Sequence, residues 1–295
     1  MKQVNPILHT ITKKPHEGAH GLSRREFIEL TALASGGLGL LLSGCTLVAE
    51  QGVANGSHLA VVDEWIRAVN AEDVAGFEKL HTESVFWTNH SSIRPFSGRE
   101  LIWDLLQMST GNQIEKLVAF GQDQSVCLLV NATRLNRSQC YVFNLVDEVI
   151  DRVYGYDSRQ FNLASSPHFS GIEISGDDKG LQDRLNAMDD MFVDGVNNRD
   201  FSEQALTESS IWFNFKFSEP HVGFWETDAE GNISYVRSFP SVRHKRIQTF
   251  GQGNLVCSHI AVTIPPGGSL CFVGVFQDGK IAELYEFRSN AVVNG

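Results

Sequence analysis

"TESVFWTNH" occupies residues 82–90 and "TESSIWFNF" residues 207–215 of a 295-residue chain. The shared phrase T-E-S-x-x-W-x-N returns after 125 positions, and it does not return alone. "NAED" (70–73) comes back as "NNRD" (197–200), and Pro95 and Gly98 come back as Pro220 and Gly223. "FGQDQSVC" (120–127) is matched by "FGQGNLVC" (250–257), and "CYVFNLVDEVIDRVYGY" (140–156) by "CFVGVFQDGKIAELYEF" (271–287). Five blocks keep one order while their offset drifts only from 125 to 131. That pattern describes a domain written twice with small changes in its loops.

Each copy reads as helix, helix, then strands. "HLAVVDEWIRAVN" (58–70) and "LQDRLNAMDDMFVDGVN" (181–197) carry apolar residues at helical spacing. Asp200 followed by Glu203 forms a capping-box start for the second helix of copy two, whereas copy one has Asp73 with Gly76 in the Glu position. Runs rich in Val, Phe, Trp, Tyr and Ile follow, separated by turn residues such as "PPGG" (265–268) and "QDGK" (277–280). Helices first and strands after predict an α+β fold, a curved antiparallel sheet wrapped around N-terminal helices in each copy. The expected boundaries are 58–164 for the first domain and 180–291 for the second, with the Ser-, Gly- and Asp-rich stretch 165–179 as linker.

The first 44 residues have a different character. "SRREFIE" (23–29) precedes the Gly-rich apolar run "LTALASGGLGLLLSG" and then Cys45. At roughly 15 residues the run is shorter than the about 20 a spanning helix needs. A basic pair, a modest apolar stretch and small residues are the parts of an export signal. Ser23-Arg24-Arg25-Glu26-Phe27-Ile28 resembles the twin-arginine motif, with Ile28 and Glu29 departing from its usual Leu-Lys. Leu42-Ser43-Gly44-Cys45 resembles a bacterial lipobox, which implies lipid on Cys45. Residues 45–57 then read as a polar tether, and the expected location is the cell envelope, on the periplasmic side, anchored by that lipid alone. The residue after Cys45 is Thr46, not the Asp associated with inner-membrane retention, which leaves an outer-membrane destination open. Removing residues 1–44 leaves 19 basic and 32 acidic side chains, a net charge of −13. Such a body repels phosphate backbones, so no nucleic-acid partner is expected.

The body itself carries a family resemblance. A W-x-x-x-x-N-x-x-D helix junction (Trp65, Asn70, Asp73), "FSGRELI" (96–102) opening a third helix, and the closing "DGKIAELYEF" (278–287) are similar to the SnoaL-like or nuclear transport factor 2-like superfamily, which includes ketosteroid isomerase. The resemblance implies a cone closing around one apolar pocket. It also implies that a tandem pair forms a dimer within one chain. The isomerase uses a base aspartate, a tyrosine and a second acid. Carried onto this chain, the base position falls on Asn89 and Asn214, the tyrosine on Trp65 and Phe192, and the second acid on Cys140 and Cys271. An amide cannot take a proton from carbon at neutral pH, and Trp and Phe cannot donate a phenol's hydrogen bond, so isomerase chemistry is not expected.

Trp87 and Asn89 lie two apart on a strand and share a face, as do Trp212 and Asn214. An indole wall beside an amide suits a small apolar ligand with one polar group. The same residues also suit a cone filled by its own tryptophans, with the asparagines bonded to backbone. Three readings therefore stand: a ligand- or partner-binding protein, an enzyme of cyclase, dehydratase or hydrolase type, and a scaffold with filled cones. Polar residues open to the enzyme reading are His90, His221, Glu226 and His259, each also readable as an ordinary loop or surface residue. Cys127 with Cys140 and Cys257 with Cys271 suggest disulfides. The "PPGG" turn, however, sets Cys271 opposite about Val262, well out of reach of Cys257. Four free buried thiols are expected, with no metal and no cofactor, because the chain after residue 44 has neither C-x-x-C nor H-x-x-x-H.

Overall fold

The apolar stripe of residues 54–70 winds into helix α1 (Ala54–Asn70), four residues longer at its start than the tether boundary allowed. The computed structural model describes residues 54–110, 113–159, 161–167, 169–198, 205–214, 220–222, 243–263 and 267–291. The leader with Arg24 and Arg25, Cys45, Glu226, and the Asp200–Glu203 cap lie outside them. None of the described helices is long and apolar enough to cross a membrane. After α1, Asp73 caps helix α2 (Val74–Lys79) by accepting from the Gly76 amide at 2.9 Å. A Cβ on residue 76 would stand 2.3 Å from that carboxylate, which explains glycine where a capping box has Glu.

Next come β1 (His81–Thr88), β2 (Phe96–Ser97), α3 (Arg99–Thr110), β3 (Ile114–Gln122), β4 (Ser125–Ala132), β5 (Arg137–Val146) and β6 (Val149–Asp157). The later residues run through α4 (Leu181–Asp189), a π-helical turn Asp190–Gly195, α5 (Val196–Asn198), β7 (Leu206–Asn214) and β8 (His221–Val222). They end in β9 (His244–Gln252), β10 (Leu255–Val262), β11 (Gly268–Gln277) and β12 (Lys280–Ser289). The result is a mixed α/β molecule with few helices and one large, mainly antiparallel sheet, ordered β3-β4-β5-β6-β12-β11-β10-β9. β1 lies parallel beside β6, and β7 lies parallel beside β12. The bulges recur as well: Leu117 in β3 and Ile247 in β9 are skipped, as are Asp151 in β6 and Ala282 in β12. Bulges bend strands and raise their twist, so each half-sheet curls over its own helices.

The half-sheets β3–β6 and β9–β12 meet in three places. At one side a single bridge, Asp157 to Arg288, joins β6 to β12. At the other, the repeated Phe-Gly-Gln of β3 and β9 forms a reciprocal clasp. Gly121 N donates to Gln252 Oε1 at 3.1 Å, and Gly251 N donates to Gln122 Oε1 at 3.2 Å. Between these seams the faces turned away from the helices pack together through Val118, Cys127, Cys140, Val142, Tyr154, Tyr156, Cys257, Cys271, Val273, Tyr285 and Phe287. Two further cores lie on the helix sides, one under α1 to α3 and one under α4. We refer to these helix-side cores as the first and second cups.

The stretch expected to be a plain linker is docked instead. Ile172 is buried in the central core and Phe169 packs on it. Ser175 N donates to Asn254 Oδ1 at 2.7 Å, and Gly253 N donates to Asp178 Oδ1 at 2.8 Å. Apolar side chains inside a polar stretch give the segment something to bury, and composition alone does not reveal that.

Two expectations follow. A Cβ at residue 251 would stand 2.4 Å from the Leu255 carbonyl, beside the clasp. Gly251→Ala should lower stability by about 1–3 kcal/mol, and an unchanged melting temperature would show that the β9–β10 turn relaxes freely. The second expectation concerns His81 and His244, which bond through Nδ1 to the carbonyls of Phe77 at 2.7 Å and Phe192 at 2.5 Å. Burial pushes both imidazoles down from 6.5 to about 4, against the opposing carbonyl bonds and, for His81, with help from Arg99. The unfolded chain takes up these protons as pH falls through its ordinary value, and the fold does so only near 4. Stability is therefore full above about pH 6.5 and declines toward pH 4, by about 1.4 kcal/mol per unit for each histidine. Urea titrations at pH 7 and pH 5 read this directly. Replacing both by Asn, which still serves the carbonyls, should remove their share of the slope and leave that of His259, which burial also pushes down to about 4.

Candidate functional site

The first cup is filled by aromatic side chains. Trp65, from α1, lies 6.3 Å from Trp87, 6.1 Å from Phe77, 5.4 Å from Tyr141 and 5.3 Å from Phe143, centroid to centroid. Trp103 of α3 closes on Phe77 at 5.1 Å. Large rings in such mutual contact make a dense core and leave the indole of Trp65 without a hydrogen-bond partner at Nε1. Asn89 follows the last strand residue, Thr88, and its side chain turns onto the next loop. Its side-chain oxygen accepts from Ser91 N at 2.9 Å and from Ser91 Oγ at 3.0 Å, a turn-forming pattern. The polar groups of this cup sit near its rim. Tyr141 OH donates to Gln139 Oε1 at 2.9 Å, while Asp157, wholly buried, meets Arg137 at 2.7 Å and His90 at 3.2 Å. Burial holds the His90 imidazole below its ordinary value, against the pull of Asp157. Asn290 N also donates to the His90 carbonyl at 3.0 Å, so this cluster is part of the seam between the half-sheets.

The second cup is built differently. Phe192, in the π-helical turn, stacks on Phe272 at 3.9 Å, and Trp212 stands edge-on to Phe192 at 6.3 Å. Beside them Asn214 Nδ2 donates to Glu286 Oε2 at 2.8 Å, both residues buried. Two registers place this pair. β7 runs parallel to β12 with Asn214 opposite Glu286, and β11 runs antiparallel with Phe272 opposite Glu286. Since Phe272 and Leu284 belong to the second cup and Tyr285 and Phe287 to the central core, alternation puts the Glu286 carboxylate in the cup. At the corresponding point of the first half stands Gly155, over which Tyr141 lies.

The sequence reading missed Glu286. The signal available was the mismatch itself, "YGY" in one copy against "YEF" in the other, an acid between two aromatic residues of a strand. The reading also placed Cys140 and Cys271 in the cups, and the structure places them on the opposite face. Tyr141, Phe143 and Leu145 fill the first cup, and Leu270 and Phe272 the second. The intervening cysteines therefore point into the central core, because a shift of one residue changes the face.

The cysteine spacing needs correcting too. Cys271 lies opposite His259, and Cys257 opposite Val273, so the two cysteines are diagonal neighbours. All four thiols are free and buried, with Sγ–Sγ distances of 3.7 Å for Cys127–Cys140, 3.4 Å for Cys140–Cys271 and 3.5 Å for Cys257–Cys271. Burial pushes the thiols of Cys127, Cys140 and Cys257 well above the ordinary range, which removes them as nucleophiles. His259 is likewise in the central interior, 4.5 Å from Tyr154 by ring centroids. His221 lies in β8, opposite Trp212.

No family model matches the chain, and none of the curated proteins does. Among solved structures, a SnoaL-like protein from Burkholderia thailandensis is 16% identical, matching 35% of this chain and 95% of its own with a TM-score of 0.31. An NTF2-like protein from Cytophaga hutchinsonii is 18% identical over 34% of this chain and 88% of its own, with a TM-score of 0.29. An M. tuberculosis LEH-like epoxide hydrolase is 14% identical over 35% and 84% of the two chains, with a TM-score of 0.29. Each of these solved structures matches about a third of this chain's length.

Proposed function

We propose that the chain is a tandem pair of NTF2-like cups packed back to back, carried behind a twin-arginine lipoprotein leader. In this reading the first cup has become a filled structural body, and the second binds a small, mostly apolar ligand that presents one hydrogen-bond donor. The observation that carries it is the Glu286 carboxylate, buried in an aromatic wall beside the Asn214 amide. A carboxylate in an apolar wall needs hydrogen-bond donors around it, and the Asn214 amide is one of them. An acid here, where the other half has glycine, fits a polar contact point for a ligand. Trp212, Phe192 and Phe272 supply the apolar contact surface. The reading as tandem cups draws on the recurring strand order, the paired bulges and the exchange-symmetric Gly–Gln clasp. The reading of an exported, lipid-anchored protein draws on the motifs around Arg24, Arg25 and Cys45 alone.

The same carboxylate favours a second reading, an enzyme in which Glu286 acts as general base in an apolar site. Ketosteroid-type isomerisation is not part of it, because Asn89 and Asn214 stand where that chemistry has its base.

The full chain should bind 2-naphthol, an apolar molecule with one donor. Glu286→Gln should weaken that binding by about tenfold or more, the loss of one hydrogen bond to a charged acceptor. Tyr141→Phe, which removes a hydroxyl from the first cup, should leave it unchanged. Equal weakening by both variants, or no binding at all by the parent, would overturn the proposal. A compound captured from the producing cells and converted by the parent but not by Glu286→Gln would establish the enzyme reading.

A further inference from the structure

The central core contains a polar cluster that neither cup uses. Cys140 and Cys271 face each other across the two half-sheets at 3.4 Å, and each has a second cysteine of its own half beside it, Cys127 at 3.7 Å and Cys257 at 3.5 Å. The sulfurs of Cys127, Cys140 and Cys271 all lie within 4.8 Å of one another, fully buried. Tetrahedral zinc with sulfur at about 2.3 Å sets its ligands about 3.8 Å apart, close to the spacings here. Packed thiols also come this close, so spacing alone does not make a site.

The second observation is His259. It lies opposite Cys271 in the β10–β11 register, on the face that carries Cys257 and the central core. Its ring is fully buried, and neither Nδ1 nor Nε2 has a hydrogen-bond partner. An imidazole with both nitrogens buried and unbonded costs a few kcal/mol, and native interiors rarely keep such a group without a use. Leu129 occupies the corresponding position of the first half, so packing there does not require a polar ring. The ring nitrogens of His259 stand outside the group that the three sulfurs form within 4.8 Å, so the imidazole has to turn toward them to complete a set of three sulfurs and one nitrogen for a thiophilic d10 ion.

We propose that the interface between the half-sheets holds one structural zinc ion, ligated by Cys127, Cys140, Cys271 and His259, with the Cys257 thiol donating a hydrogen bond to the Cys271 sulfur. Each ligating thiol releases its proton to solvent as the ion binds, and no electron is transferred. Three thiolates and a neutral imidazole leave the site at a charge of −1, easier to bury than the −2 of four thiolates. Ligands drawn from both half-sheets make the ion a cross-link between them. Because the site is sealed, the ion enters as the halves come together.

The full chain, produced in zinc-supplemented medium under reducing conditions, should contain about one zinc per molecule by elemental analysis. Refolded with cobalt(II), it should show the thiolate charge-transfer and ligand-field bands of a tetrahedral site. His259→Leu should weaken cobalt binding by about tenfold or more, a loss at least as large as removal of an outer-shell partner. Cys257→Ala should keep the stoichiometry and the tetrahedral bands. A metal-free parent that takes up no cobalt and titrates all five of its cysteines as thiols when denatured would overturn the proposal in favour of packed thiols. An intact mass lighter by about two daltons per cysteine pair would overturn it in favour of disulfides.

Discussion

The back-to-back contact of the two half-sheets is the constraint on which the rest of the molecule depends. A curled sheet with helices on one face still has an apolar second face, and here each half covers the other's. The Phe-Gly-Gln segments of β3 and β9 show why the contact works in both directions. Each glycine amide donates to the glutamine of the other half, so the surface is complementary to itself. β3 and β9 are also the two ends of the strand order, and end strands expose unpaired backbone. Drawing them together protects both ends with one device, and glycine is needed because any side chain would meet the neighbouring carbonyl.

Much of this was legible in the sequence, and the failures have a common physical origin. The repeated blocks located the strands, and the tryptophans at 65, 87 and 212 fall in the cups. What the sequence does not carry is register across turns. The hairpin between β5 and β6 turns through Asp147 and Glu148, both at positive φ, and no side-chain pattern announced that geometry. A spacing carried through such a turn is correct to within a residue, and one residue is enough to send Cys140 to the other face. The turn after β10 was misjudged in the same way, since pairing resumes at Gly268 opposite Val262. Glu286 escaped notice for another reason. It joins Asn214 only through the parallel pairing of β7 with β12, a contact between residues 72 positions apart in the chain.

The two cups show how the same scaffold accepts opposite interiors. In the first, Gly155 lets Tyr141 lie flat against the strand, and the rings of Trp65, Phe77, Trp87 and Phe143 complete the filling. In the second, Phe272 replaces the tyrosine and a carboxylate replaces the glycine. The half-sheets, their bulges and the seam are common to both. The difference lies in a few positions on the helix-side face, where side chains do not touch the shared interface.

That separation has a consequence for how such a molecule can change over time. In an assembly of two identical subunits every replacement appears at two places, so a pocket cannot be closed on one side and kept on the other. Here the halves belong to one polypeptide, and the segment between them is itself pinned by Ile172 and Ser175. Each half can therefore drift alone in its interior while the seam holds both to a shared shape. A replacement inside one interior then leaves the interior across the seam as it was.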